Sequence, residues 1–171
     1  FMIGLPTETY ADIEGIVRLV RKIRDVGRGG MGVRVNASTF VPKPHTPFQW
    51  IAQAAEEDLA GKQQVLAAGL RKAGIHVSWQ DPKVSLLEGV LSRGDRRLAR
   101  VIESAWRAGC KFDAWSEHYN YERWQRAFEE CGLDPGCYAC RERPAAELLP
   151  WAHMDTGVST AFLRAEYERS K

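Results

Sequence analysis

The chain has 171 residues, 44% of them hydrophobic and 27% charged, enough for a fold with a core of its own. With 24 basic against 22 acidic side chains, a net charge of +2, it carries no electrostatic footprint for nucleic acid or an anionic membrane. No apolar run approaches the length of a membrane-spanning helix, and no basic stretch leads into an apolar stretch and a cleavage site, so the expected location is the cytoplasm.

Phe1-Met2-Ile3-Gly4-Leu5-Pro6 reads as the end of a buried strand entering a Gly/Pro turn. A chain that starts inside a core strand is expected to be part of a longer protein, and the missing N-terminal half is its expected partner. Without that neighbour, Phe1 to Ile3 should be more exposed than Val33 to Val41. Thr9 is a candidate N-cap, with Asp12 three residues on as in a capping box. Ile13, Ile16, Val17, Val20 and Ile23 then recur at helical spacing, with Arg18, Arg21, Lys22 and Asp25 opposite, and Gly27, Gly29 and Gly30 end the helix. Val33 to Val41 alternates and is rich in β-branched residues, as a strand is, and Pro42, Pro44 and Pro47 close it. Strand, crossover helix and strand imply parallel pairing, the unit of an α/β sheet or barrel.

Ala54 to Ala73 reads as a long helix with Leu59, Leu66 and Leu70 on one face and Gly74 after it. Ile75 to Trp79 is a short strand, Val84 to Leu91 a short helix, and Arg93-Gly94-Asp95 a turn. Asp95 to Ala108 is a helix with Leu98, Val101, Ile102 and Ala105 inward. Another opens at Asn120 or Tyr121 and runs to Cys131, where Gly132 stops it. Asp134 to Ala152, with three prolines, reads as an extended loop, and Ser159 to Arg169 as a last amphipathic helix, capped by Thr156 or Ser159.

Several side chains suggest chemistry. The Gly4 turn feeds a helix N-terminus, where a ligand can approach closely, although an ordinary βα loop has the same pattern. The four cysteines, Cys110, Cys131, Cys137 and Cys140, read as thiols or metal ligands rather than disulfides. Cys137-Tyr138-Ala139-Cys140 has metal-ligand spacing; with Cys131, and with Cys110 or His118 as a fourth ligand, it would select zinc or an iron–sulfur cluster. Cys131 reads equally as a core residue. His118 beside Glu117 is a proton-transfer candidate or a structural histidine. Asp95 among Arg93, Arg96 and Arg97 could receive a phosphate-like group, or be a helix cap in solvated charge. Trp151, His153, Asp155 and Thr156 cluster before the last helix.

Gly4-Leu5-Pro6-Thr7-Glu8-Thr9 and, one crossover later, Ser38-Thr39-Phe40-Val41-Pro42-Lys43-Pro44-His45-Thr46-Pro47-Phe48 together resemble the fifth and sixth strands of the radical S-adenosylmethionine (radical SAM) barrel. Such elements are familiar from its methylthiotransferases and coproporphyrinogen dehydrogenases. The stretches Arg93 to Arg97, Phe112 to His118 and Leu149 to Val158 resemble one branch, whose members often carry a cobalamin-binding-type domain upstream. The resemblance implies an α/β fold: residues 1–80 as the C-terminal portion of a partial parallel (β/α) TIM-like barrel, and residues 81–171 as a mostly helical C-terminal extension. The first part would comprise strand five, helix, strand six, helix and a short strand. It implies S-adenosylmethionine and a [4Fe-4S] cluster in the parent protein, with cobalamin a further candidate, and hydrogen abstraction from an unidentified substrate. The cofactor wall would fall on Met2, Ile3 and Gly4, with Glu8 as a polar contact standing one residue later than the superfamily pattern, and on Ser38 and Phe40 of strand six, where Phe40 reads equally as core. The superfamily's Cys-x-x-x-Cys-x-x-Cys loop is absent from these 171 residues. It belongs after strand one, so the isolated chain is expected to be inactive. The other reading is a metal-binding (CxxC) interaction module without radical chemistry.

Overall fold

The computed structural model describes residues 1–27 and 32–171, and it divides into two units: residues 1–41 with 53–85, and residues 42–52 with 86–171. The described residues are mixed α/β and mostly helical, with one small parallel sheet.

In the first unit, β1 (Met2–Ile3), α1 (Tyr10–Val26), β2 (Arg34–Thr39), α2 (Glu56–Arg71) and β3 (His76–Trp79) alternate along the chain. The strands lie in the order β1-β2-β3, all parallel, with Ile3 opposite Thr39 and Val35 opposite Val77. The predicted capping forms: the Asp12 carboxylate accepts from the Thr9 backbone N–H (2.8 Å) and the Thr9 hydroxyl (2.7 Å). Ile3, Val35 and Ala37 from the strands, Ile13, Val17 and Val20 from α1, and Leu66 and Leu70 from α2 form one core. Ile23 departs from the predicted stripe and is 47% exposed. Beyond Val20 the α1–α2 contact becomes polar, as the Arg21 and Arg24 guanidiniums donate to the carbonyls of Gly69 and Ala73. Gly27 closes α1 through its N–H to Ile23 and Arg24; Gly29 and Gly30 lie outside the described residues. Phe1 and Met2 are about half exposed, as expected of an edge, whereas Ile3 is fully buried because it faces the helices.

The second unit holds the last part of α3 (Pro82–Arg93), then α4 (Leu98–Arg107), α5 (Tyr121–Glu130), α6 (Pro135–Ala139) and α7 (Thr160–Arg169). Leu87, Val90, Leu98, Val101, Trp124, Phe128 and Tyr138 make its main core. Ile102 is 47% exposed rather than inward, because Leu98, Val101 and Ala105 already complete the buried stripe of α4. The stretch predicted as an extended loop contains α6, started by the Asp134 side chain accepting from Gly136 N–H, with proline in the first turn where a missing N–H costs nothing. Asn120 and Ser159 cap α5 and α7 in the same way. Trp50, Leu149, Trp151 and Leu163 form a smaller core, with Tyr167 packed on it.

Arg93 corrects the reading of a solvated charge cluster: it is fully buried. Its guanidinium donates to Ala139 O (2.8 Å) and Gln49 O (3.4 Å). Burial, then the like charges of Arg143 and Arg141, pull its pKa down to about 10, which leaves it charged at neutral pH. Arg143, also buried, donates to the carbonyls of Arg93 and Tyr138, and its backbone N–H to Trp50 O (2.7 Å). These two arginines satisfy carbonyls that the short helices leave open.

Candidate functional site

The site begins where β1 ends. Gly4 adopts φ +86°, the left-handed region, so the chain leaves the sheet in one residue. A Cβ here would lie 2.8 Å from Leu59 Cδ2 and 3.4 Å from Ala54 Cβ, so the close approach of α2 also requires glycine. Leu5 O accepts from Glu8 N–H (3.1 Å), and this turn aims the Glu8 carboxylate back at the strand end. There Glu8 Oε1 accepts from Gly4 N–H (2.8 Å) and pairs with Lys62 Nζ (3.1 Å). Lys62 also pairs with Asp58 (2.8 Å), one helical turn back. The Glu8 and Lys62 side chains are each only 6% exposed. Burial pulls the Lys62 ammonium down, and the hydrogen bonds and charges of Asp58 and Glu8 more than reverse it, so its pKa stands above the usual lysine value. The network clamps the turn to α2.

Both crossover helices cover one face of the sheet, since α1 and α2 share a core with Ile3, Val35 and Ala37. The alternate residues make the other face. Met2, Arg34, Asn36, His76 and Ser78 are exposed there and Ser38 is half-buried. Asn36 Nδ2 donates to Ser78 Oγ (3.3 Å), and Ser38 Oγ to Phe1 O (3.2 Å). Met2 pairs in register with Ser38, so these two sequence candidates are brought together beside the Gly4 turn. Ile3 presents only its backbone to that edge, since its side chain is in the core, and Phe40 is buried. Glu8 sits at the turn with its carboxylate committed to Gly4 and Lys62.

The remaining candidates lie in the second unit. Glu117 and His118 are exposed on the turn after Phe112, whose ring centroid is 6.1 Å from that of His118. Cys137 is exposed, and its thiol donates to Asp134 Oδ2 (3.2 Å), which holds it protonated and pushes its pKa up. Cys131 and Cys140 are half-buried against the main core, and Cys110 is buried, with its pKa raised by that burial. Among the described residues no group of three or more His, Cys, Asp or Glu side chains is placed to hold a metal ion. No described helix is long and apolar enough to cross a membrane.

Lys62 escaped the sequence reading. Its signal was available: at Leu59 plus three and Leu66 minus four, it stands on the apolar stripe of α2.

No family model matches the chain, and no solved structure matches it. It is similar to a protein of Methanocaldococcus jannaschii described as uncharacterized, with 28% identity over 135 residues. The match covers 78% of this chain and 29% of that protein, so the chain corresponds to less than a third of its curated relative.

Proposed function

We propose that the chain is the C-terminal part of a radical SAM enzyme, the first unit being the end of its partial (β/α) barrel. One observation carries this reading. Parallel strands in sequential order, with both crossover helices on one face and a polar opposite face, are what a barrel segment needs. A doubly wound sheet places helices on both faces and buries both in apolar side chains. Residues Arg34, Asn36, Ser38 and Ser78 would then line the barrel interior.

In that frame the cofactor wall is formed by Met2, Ser38 and the backbone around Gly4, at the C-terminal edge where such folds bind ligands. The Glu8–Lys62–Asp58 clamp fixes the turn beside it. The cysteines of this chain do not fit a [4Fe-4S] cluster, because Cys110, Cys131, Cys137 and Cys140 are not gathered into a ligand set. The cluster would be held by the N-terminal half of the parent protein, and no step is assigned to these thiols. The chemistry that the cluster and S-adenosylmethionine would supply when bound there is radical hydrogen abstraction from the substrate.

The test is anaerobic reconstitution of the full-length parent protein with iron and sulfide, followed by reduction with S-adenosylmethionine present. 5′-Deoxyadenosine is expected from the parent and none from the 171-residue chain alone. A parent gene without a Cys-x-x-x-Cys-x-x-Cys loop, or a reconstituted parent that forms no 5′-deoxyadenosine, would remove the proposal.

A further inference from the structure

Two stretches of the second unit, the proline-rich loop after β2 and the segment before α7, meet around a cavity of about 350 Å³. This lies in the range of small-molecule sites, about 300–1,000 Å³. Trp50, Trp151 and Leu163 form its apolar wall and belong to the smaller core. The wall is fixed by Gln49, itself part of the lining and 3% exposed. Its Oε1 accepts both the Trp151 indole N–H (2.7 Å) and the backbone N–H of His45 (3.1 Å). His45 is held at φ 56°, a conformation that few residues other than glycine adopt. The loop is thus set in shape by contacts that do not depend on a ligand.

The charge of the lining is one-sided. It includes two carboxylates, Glu147 and Asp155, and neither lysine nor arginine. Glu147 is neutralised from outside the lining by Arg141 (2.6 Å) and Arg143 (3.3 Å). Asp155 accepts from Gly157 N–H through Oδ1 (2.8 Å) and makes no ion pair among the described residues. His153 adds a second acceptor. Its Nδ1 is 3.0 Å from Pro150 O, and a carbonyl can only accept, so Nδ1 is the donor and, in the neutral ring, Nε2 is the acceptor. Arginines outside the lining also approach the tryptophans: Arg143 lies 5.4 Å from the Trp151 ring centroid and Arg164 lies 5.9 Å from that of Trp50.

We infer that this cavity binds a small organic cation, a primary amine on an aromatic or apolar body. The ammonium is taken by Asp155 and His153, and the body rests on the wall of Trp50, Trp151 and Leu163. This inference does not depend on the radical SAM reading.

The test is calorimetric titration of the protein at low salt with 2-phenylethylamine and with 3-phenylpropionate, two probes of similar size and opposite charge. The amine is expected to bind saturably and about tenfold more tightly than the anion. Asp155→Asn keeps the acceptor for Gly157 N–H and removes the charge, and it should weaken the amine about fivefold without lowering the melting temperature. No saturable amine binding, equal or stronger binding of the anion, or an unchanged amine affinity in Asp155→Asn would overturn the inference. Should Asp155→Asn fail to fold, the preference between the two probes in the unaltered protein still decides it.

Discussion

Replacing Lys62 by Met tests the clamp on the Gly4 turn most directly. Methionine keeps most of the length and apolar bulk of the side chain and removes the ammonium, its charge and its donors together. Glu8 then keeps its Gly4 hydrogen bond but loses the ammonium at 3.1 Å, in a place where its side chain is 6% exposed. Removing one member of a buried pair typically costs about 3–5 kcal/mol, because the partner is left charged and unpaired. An upper limit comes from the alternative of neutralising the carboxylate: at pH 7 that lies about 2.7 pH units above the ordinary glutamate value, about 3.7 kcal/mol. Asp58 is 41% exposed and recovers water, so it adds little. A loss of about 3 kcal/mol is therefore expected for Lys62→Met. The double variant Lys62→Met/Glu8→Gln, in which Gln can still accept from Gly4 N–H, should recover at least half of it.

Urea denaturation of the three proteins, with hydrogen exchange at Ile3 and Ala37 reporting the first unit, measures both quantities. A single-variant loss below about 1 kcal/mol, or a double variant no better than the single one, would refute the reasoning. The pH dependence gives an independent check. The folded pKa of Lys62 is raised, so its contribution is complete below the unfolded lysine value of about 10.4. It is lost as pH climbs through the higher folded value, and Lys62→Met should lack this alkaline loss.

Gly4→Ala forces a side chain into a left-handed position and against Leu59, and should cost about 1–3 kcal/mol, read as a lower urea midpoint. Arg93→Met removes the donor to Ala139 O and Gln49 O inside the second unit, and should cost about 2–4 kcal/mol in the same assay. Cys137→Ser should change stability by no more than about 0.5 kcal/mol and leave the metal content of the purified chain unaltered, since this thiol is exposed and held protonated by Asp134. Stoichiometric zinc or iron that disappears in Cys137→Ser would restore the metal-module reading.

Local pattern was enough wherever one short-range rule acted alone. The turn at Gly4, the Thr9–Asp12 start of α1, the alternation of β2 and the Ser159 cap of α7 all depend on residues within a few positions of one another. The ends of the apolar stripes were less legible. Ile23 and Ile102 fit their helical period but lie where the neighbouring element gives them nothing apolar to meet. Asp134 to Ala152 reads as loop in the sequence because the five-residue α6 within it has too little length to show a period, and its cap and proline are the available signs. Of the candidate cofactor wall, the register of β1 on β2 brought Met2 and Ser38 to the same edge, and the pleat sent Ile3 into the core.

The sequence by itself determined the strands, the helices other than α6, their parallel crossover logic and most of the capping, because each follows from backbone preferences and period over one or two turns. Tertiary structure decided where three charged residues would go, although the apolar stripe of α2 already marked the position of Lys62. Lys62, Arg93 and Arg143 look like surface residues to any rule based on residue type, yet each is buried. A buried cation is tolerated only when acceptors meet it: Glu8 for Lys62, Gln49 O and Ala139 O for Arg93, Tyr138 O and Glu147 for Arg143. Those partners lie from 4 to 54 positions away in sequence. Only the folded chain brings them within 3.5 Å, and only then does burying a charge become compatible with stability.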